Sequence, residues 1–533
     1  PQGRAASLAR AGLARAGWVA LPLVLACGGT PSSSPAPTSP ETVARGATLL
    51  DGPVVGGLGP GRAVVWARTS RPARLRAIAT PESAGPAGAP SSVWLETHAE
   101  RDGTGQARLE GLAPDVPYRV RLVGVDPPGG SRVRSAPAPE AAAPWRIAVG
   151  GDLAGQNVCR DAARGFPVFE AIRNRAPDLL LGLGDMVYAD DTCQARGALR
   201  NRQIPGGFGP ARTLEDFFAH WRYARSDPSL RTLLRETAYL PVWDDHEVRN
   251  DFGPSHADAV DSDGRRIPLL EAGRQAFLAW NPVGPAAGPS RLVRRTRLGR
   301  HLELFVLDTR SHRDPNPARD TEQAPKSLLG PAQREWLVQG LTRSDATWKL
   351  VVTSVPLALP TGSPEGRDGW SDLGQETGFE RELLSILRAL RAGRVRGLVW
   401  LSADAHLASV LRYRPFGDDP EFVMHELVTG PLQAGLAPAA RRDALDPTLR
   451  PERLLLHAPP GGGESVRSFE DATHWFNFGL LDVDAEGRLR VRVVTARDRV
   501  VYDATWRPEL PRLPGGPSAG PDPQHDSGRP SAG

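Results

Sequence analysis

Cysteine, methionine and lysine are scarce in this chain of 533 residues, which holds 3 cysteines and 2 methionines. Lys326 and Lys349 are its lysines, so arginine carries nearly all the positive charge. Three cysteines cannot build a cysteine-rich zinc framework or a disulfide scaffold. The formal net charge is only +4, and no basic run is interleaved with aromatic residues as a nucleic-acid groove requires. A stable nucleic-acid partner is therefore not expected, and the arginine bias reads as base composition of the genome. No apolar run reaches the length of a comfortable membrane span. Gly-x-Ser-x-Gly occurs at Gly516–Gly520, in a Pro/Gly/Ser-rich tail with no strand before it and no helix after it. That placement excludes a serine nucleophile elbow.

What is present begins with an export pattern. Arg4, Arg10 and Arg15 precede the short apolar run 18–26, which ends in Val24-Leu-Ala-Cys27. This resembles a bacterial lipoprotein signal, with Cys27 as the lipidated residue and 1–27 as the signal segment. Residues 28–45 are rich in Pro, Ser and Thr and read as a flexible tether. The protein is expected to be exported to the bacterial cell envelope, attached to a membrane through Cys27, and monomeric. Residues 46–138 show strand-like apolar spacing between Gly/Pro turns, which predicts a small all-β, fibronectin type III-like sandwich. From 145 to 506 strands alternate with helical stretches. Phe379, Leu383, Leu387 and Leu390 share one helical face ended by Gly393. The fold class is α/β: a β-sandwich core flanked by helices, preceded by the small β domain, with 508–533 as a disordered tail.

Four apolar runs end in polar clusters: Trp145–Val149 before Gly151-Asp152, Leu179–Leu183 before Gly184-Asp185-Met-Val-Tyr188, Tyr239–Trp243 before Asp244-Asp-His-Glu247, and Leu398–Leu401 before Ser402-Ala-Asp404-Ala-His406. Short apolar runs of this kind predict buried strands, and ligands collect at the carboxyl ends of strands in open α/β sheets. A strand-end Asp is by itself an ordinary turn former or helix cap. Four such clusters in order predict a metal site. Cys159 and Cys193 lie a few residues beyond Asp152 and Asp185; they read either as a disulfide or as thiolate ligands.

The ordered motifs are similar to those of binuclear metallophosphoesterases. Trp243-Asp-Asp-His-Glu-Val-Arg-Asn-Asp251, with His220-Trp-Arg-Tyr223 and Leu307-Asp-Thr-Arg310, more narrowly resembles the PhoD-type alkaline phosphatase D family. Gly-Asp-x-x-Tyr also resembles purple acid phosphatases. The resemblance implies a binuclear or trinuclear site: Asp185 bridging, Tyr188 as phenolate on Fe³⁺ with Asp152 and His406, and Asp245 and Asn250 on a divalent ion. Asp404 stands where many relatives carry a histidine. This shifts the ligand set toward oxygen and hence toward Ca²⁺, with Mg²⁺ or Mn²⁺ as alternatives. The implied activity is hydrolysis of small phosphate mono- or diesters by metal-activated water. His246 reads as a proton donor to the leaving group or as a buried hydrogen-bonded histidine. Arg310 reads as a phosphate-holding group or as a salt-bridge partner of Asp308. The rival outside enzymes is a lipid-anchored surface binding protein with structural metals.

Overall fold

The computed structural model describes residues 46–82, 89–255, 258–260, 266–284, 292–439 and 445–507. The signal segment with Cys27, the tether and the tail from 508 lie outside the described residues. Among the described residues no helix is long and apolar enough to cross a membrane.

Two large sheets carry the fold. In the first, of nine strands, Trp145–Gly150, Leu179–Gly182 and Ala238–Pro241 lie side by side and parallel. Beyond Ala238–Pro241 the sheet continues through Leu49–Gly59, Arg62–Thr69 and Thr104–Glu110. On its other side it continues through the antiparallel Asn477–Val483, Leu489–Thr495 and Val500–Trp506. The second sheet, of seven strands, runs Arg294–Leu298, Leu302–Val306, Trp348–Val352, Leu398–Ser402, Met424–Val428, Ala408–Tyr413, Pro451–His457. Alternation along each strand divides the packing. Leu179 and Leu181 share a core with Leu350 and Val399 of the second sheet. Leu180 between them joins Phe217, Trp221, Trp243 and Phe277 in a core on the helix side. The second sheet's opposite side is covered by helices Gly330–Arg343 and Glu380–Ala392, whose Leu337, Leu383 and Leu387 pack on Phe305, Val351 and Trp400. This is a layered α/β architecture with both strand faces apolar, which is why the central strands read as continuous hydrophobic runs.

The all-β stretch 46–138 is divided between two sheets. Leu49–Gly59, Arg62–Thr69 and Thr104–Glu110 extend the nine-stranded sheet. Ser91–Glu96, Arg74–Pro81, Pro117–Val123 and Gly130–Arg134 form a four-stranded sheet whose inner residues Leu75, Tyr118 and Leu122 join the inter-sheet core. Leu49–Gly59, a glycine-containing strand of 11 residues, has little strand signature because glycine weakens β-propensity. Its Gly56 meets Tyr239 of Ala238–Pro241 in parallel register.

Cys159 and Cys193 form a disulfide across a separation of 34 residues. It joins the loop that follows Asp152 to the loop that follows Asp185, so the thiolate-ligand alternative falls. Loop-closure entropy for this span amounts to about 3–4 kcal/mol. The Cys159→Ser/Cys193→Ser variant is therefore expected to unfold at a midpoint several degrees lower by calorimetry; an unchanged midpoint would show that the bridge carries no stability.

Candidate metal centre

Three parallel strands of the nine-stranded sheet, Trp145–Gly150, Leu179–Gly182 and Ala238–Pro241, and Leu398–Ser402 of the seven-stranded sheet bring their polar clusters together, so the site is shared by two sheets rather than by one sheet edge. Three of the four chain reversals use unusual backbone. Asp152, Asp185, Asp404 and His406 all have positive φ, at 62°, 52°, 61° and 56°. Non-glycine residues in that region are held there by their surroundings and concentrate at functional sites. Gly184 at φ 109° admits nothing larger, because a Cβ there would sit 2.5 Å from Cβ of Asp244. The two ligand-bearing loops thus approach closely only through glycine.

Glu247 ties these loops together. Its buried carboxylate accepts from the backbone N–H of Asp185 (3.0 Å), Met186 (2.8 Å) and Asp244 (2.7 Å). Asp245 Oδ2 accepts from Asp251 N at 2.6 Å, and Asp185 Oδ1 accepts from His246 N at 3.0 Å. Between the two sheets, Asp152 Oδ1 accepts from Asp404 N at 3.2 Å.

Asp152, Tyr188 and His406 converge. The Tyr188 hydroxyl lies 2.8 Å from His406 Nε2, which is 4.0 Å from Asp152 Oδ1. His406 Nδ1 must carry the proton, because it lies 2.6 Å from the carbonyl of Gly435, which only accepts. Nε2 then presents its lone pair to this corner, the arrangement a metal-ligating imidazole adopts. Three further groups bring ligand atoms within 4.8 Å of one another: Asp185, Asp245 and His246; Asp244, Asp245 and Asp404; Asp245, Asp251 and Asp368. These acidic clusters can hold metal ions.

The electrostatics agree. Burial, then the neighbouring Asp404 and Asp244, raises Asp152 well above the usual carboxylate range. Burial and Asp245 do the same to Asp185. Burial pushes Asp244 up to about 8 even against Arg310, and burial with Asp368 pushes Asp404 up to about 7. The Tyr188 phenol is raised by burial and by Asp185, so a phenolate there needs an adjacent cation strong enough to reverse that field. Asp152 Oδ2, Asp185 Oδ2, Asp244 Oδ2 and Asp404 Oδ2 are shielded from solvent and accept no hydrogen bond.

His246 and Asp190 form a pair. Nδ1 of His246 lies 2.7 Å from Asp190 Oδ1, and the ring stacks on Tyr188 at 4.0 Å between centroids. Burial alone would lower the imidazole, but Asp245 and Asp190 outweigh it and hold it up to about 10. Asp190 Oδ2 accepts from Asn250 N at 2.7 Å. Asn250 is itself exposed and joins the site through its backbone.

Arg310 departs from the phosphate-holding expectation. It is fully buried, Nε donates to Asp244 Oδ1 (2.5 Å), and Nη1 and Nη2 donate to Asp368 (2.8 and 2.6 Å). With its fork spent on two carboxylates, the guanidinium has no face for a substrate. Nor is it a salt-bridge partner of Asp308, which accepts only its backbone N–H at 3.1 Å. His220 donates toward no ligand group; it lies 3.1 Å from the Gly209 carbonyl and packs on Phe208. Tyr223 holds the backbone of Arg160 and Ile204. His425 stacks on Trp506. Asp190, Glu247, Asp251 and Asp368 were not singled out as site residues in the sequence. The first three stand in or beside the strand-end clusters, where that position was the available signal. Asp368 sits in a loop after the two-residue strand Gly366–Arg367, with no strand-end pattern to mark it.

Two layered sheets with helices outside make a fold of the purple acid phosphatase type. A purple acid phosphatase, PPD1 from yellow lupin (Lupinus luteus) seeds, superposes with a TM-score of 0.50 at 12% identity, over 85% of this chain and 73% of that one. The solved structure of PhoD superposes with a TM-score of 0.65 at 16% identity, over 85% and 88%. Residues 148–460 match the PhoD-like phosphatase family model, and the chain belongs to that family. Alkaline phosphatase D of Bacillus subtilis (strain 168) is 23% identical over 269 residues, 46% of this chain. The matched region spans 44% of that relative, less than half its length.

Proposed function

We propose that the protein is an exported, metal-dependent phosphoesterase that hydrolyses small phosphate monoesters, diesters or both, without nucleic acid as a stable partner. The observation that carries this reading is the set of shielded, unsatisfied carboxylate oxygens on Asp152, Asp185, Asp244 and Asp404. Buried carboxylates at such density repel one another and are stable as anions only beside cations. The donors are oxygen-rich with one imidazole, which fits hard ions and a trivalent iron that takes the phenolate.

On this reading Asp152, Tyr188 and His406 would hold Fe³⁺, Asp245, Asn250 and Asp404 would hold Ca²⁺ (Mg²⁺ or Mn²⁺ as alternatives), and Asp185 would serve both. When bound, such ions would supply a water nucleophile at neutral pH and counter-charge for the phosphate. The chain's own residues do the rest. Asp190 holds the Nδ1 proton of His246 and fixes its ring against Tyr188. His246, protonated beside Asp185 and Asp245, carries a proton for the leaving-group oxygen. Arg310 clamps Asp244 and Asp368, and Glu247 sets the spacing of the two loops. Export and attachment through Cys27 complete the reading.

The test uses the purified full-length chain. Its metals are measured, and p-nitrophenyl phosphate and bis-p-nitrophenyl phosphate are assayed before and after chelation and with added Ca²⁺. Iron and a divalent ion are expected to co-purify, and chelation is expected to abolish hydrolysis until Ca²⁺ is restored. Activity that survives metal removal overturns the proposal. An iron-free active protein overturns the Tyr188 assignment, and tightly held metals without hydrolysis of either ester favour the binding-protein reading.

A further inference from the structure

The four-stranded sheet buries one side, and among the described residues nothing covers the centre of the other. Leu75, Ala77, Tyr118, Val120 and Leu122 point into the inter-sheet core. The alternate residues face outward, and they are not an ordinary solvated surface. Among the described residues the exposed large hydrophobics are Trp94 at 39% and Val123 at 44%. Both are cross-strand partners of the same residue, Arg76. Arg74 and Arg76 lie over the Trp94 ring, at 4.6 and 6.0 Å from its centroid. In the neighbouring strand Arg119 and Arg121 pair with Thr80 and Ile78. Among the described residues the acidic partners of this sheet's outward arginines are Glu82, which Arg119 and Arg132 share, Glu96, which pairs with Arg74 at 3.5 Å, and Asp115 and Asp178, both paired with Arg134. Positive charge exceeds negative, and it surrounds the exposed apolar pair.

We propose that this face docks on an anionic phospholipid bilayer. Tryptophan and arginine together suit a headgroup layer: the indole takes the interfacial depth and guanidinium groups pair with phosphates. Each basic group near an anionic membrane adds to affinity and is screened by salt. The route of the chain supports the same occupant. Thr48 exchanges hydrogen bonds with Ser70 (2.9 and 3.0 Å), just before strand Arg74–Pro81. The chain therefore enters beside this sheet. Upstream stand the apolar run 18–26 and the Pro/Ser/Thr-rich stretch 28–45. On the proposed reading of export and attachment through Cys27, only the 18 residues 28–45 separate a membrane anchor from the point where the chain enters beside this sheet.

The experiment is co-sedimentation of the full-length chain carrying Cys27→Ser, which removes lipidation, with vesicles. One set is equimolar phosphatidylglycerol and phosphatidylcholine, the other pure phosphatidylcholine. Binding to the anionic vesicles is expected to exceed binding to the neutral ones at least tenfold and to fall with added salt. Arg76→Glu/Arg121→Glu is expected to remove roughly tenfold or more of the anionic binding, and Trp94→Ala a several-fold part of it. Ester hydrolysis and the unfolding midpoint should stay unchanged, since these side chains are exposed and outside the site. Equal binding of parent and variants, or equal binding to both vesicle types, overturns the proposal. Stronger binding to heparin than to anionic vesicles, with Trp94→Ala silent, also overturns it in favour of a soluble polyanion.

Discussion

The Asp185→Asn variant is expected to lose on the order of a thousandfold or more in kcat/KM for phosphate esters while remaining folded. The two side chains are isosteric, and an amide oxygen still accepts the His246 backbone N–H that Asp185 Oδ1 accepts at 3.0 Å. What changes is the unsatisfied oxygen: the buried acceptor Oδ2 becomes an NH₂ that cannot ligate a cation. Removing one of several mutually repelling carboxylates also relieves strain in the metal-free protein. Its unfolding midpoint, measured after chelation, should therefore equal or exceed that of the parent. Hydrolysis within tenfold of the parent, or unchanged metal content, would remove Asp185 from the centre and with it the proposed site.

His246→Asn should lower kcat about a hundred- to a thousandfold for an ester with a poor alkyl leaving group. A phenyl-type ester with an acidic leaving group, which needs no proton, should lose far less. That contrast separates proton donation from mere packing, because loss of the stack on Tyr188 would slow both substrates alike. Asp190→Asn removes the charge of the partner at 2.7 Å and should produce a milder version of the same contrast, with the alkaline limb of the pH–rate profile moved to lower pH. The direction follows from the cause: the Asp190 carboxylate helps hold His246 up to about 10, so without it the imidazole releases its proton sooner. Equal losses on both esters would make His246 a structural or ligand residue.

Much of the fold was legible because its central strands are apolar on both faces. Leu179–Gly182 and Leu398–Ser402 are buried throughout, and Trp145–Gly150 at every position but Arg146, and an apolar run of strand length leaves few alternatives. The helix Glu380–Ala392 was equally plain, since Leu383, Leu387 and Leu390 are its buried side. Leu49–Gly59 was not, because its partner in register, Tyr239, lies far along the chain, and glycine conceals the pattern. For the same reason the stretch 46–138 read as a sandwich of its own, although three of its strands complete the larger sheet.

The sequence by itself determined which chemical groups arrive at the site: Asp152, Asp185, Tyr188, Asp245, His246, Asp404 and His406 each follow a strand, and strands end where apolar residues give way to glycine and aspartate. Tertiary structure alone decided what each group meets there. It bonded Cys159 to Cys193, turned Arg310 inward onto Asp244 and Asp368, and set Asp190 behind His246. It also gathered Arg74, Arg76 and Arg121 around Trp94 and Val123 on an open sheet face. Strand periodicity is a local property carried by neighbouring residues. Partner choice between distant side chains depends on sheet order and loop approach, which no local stretch encodes.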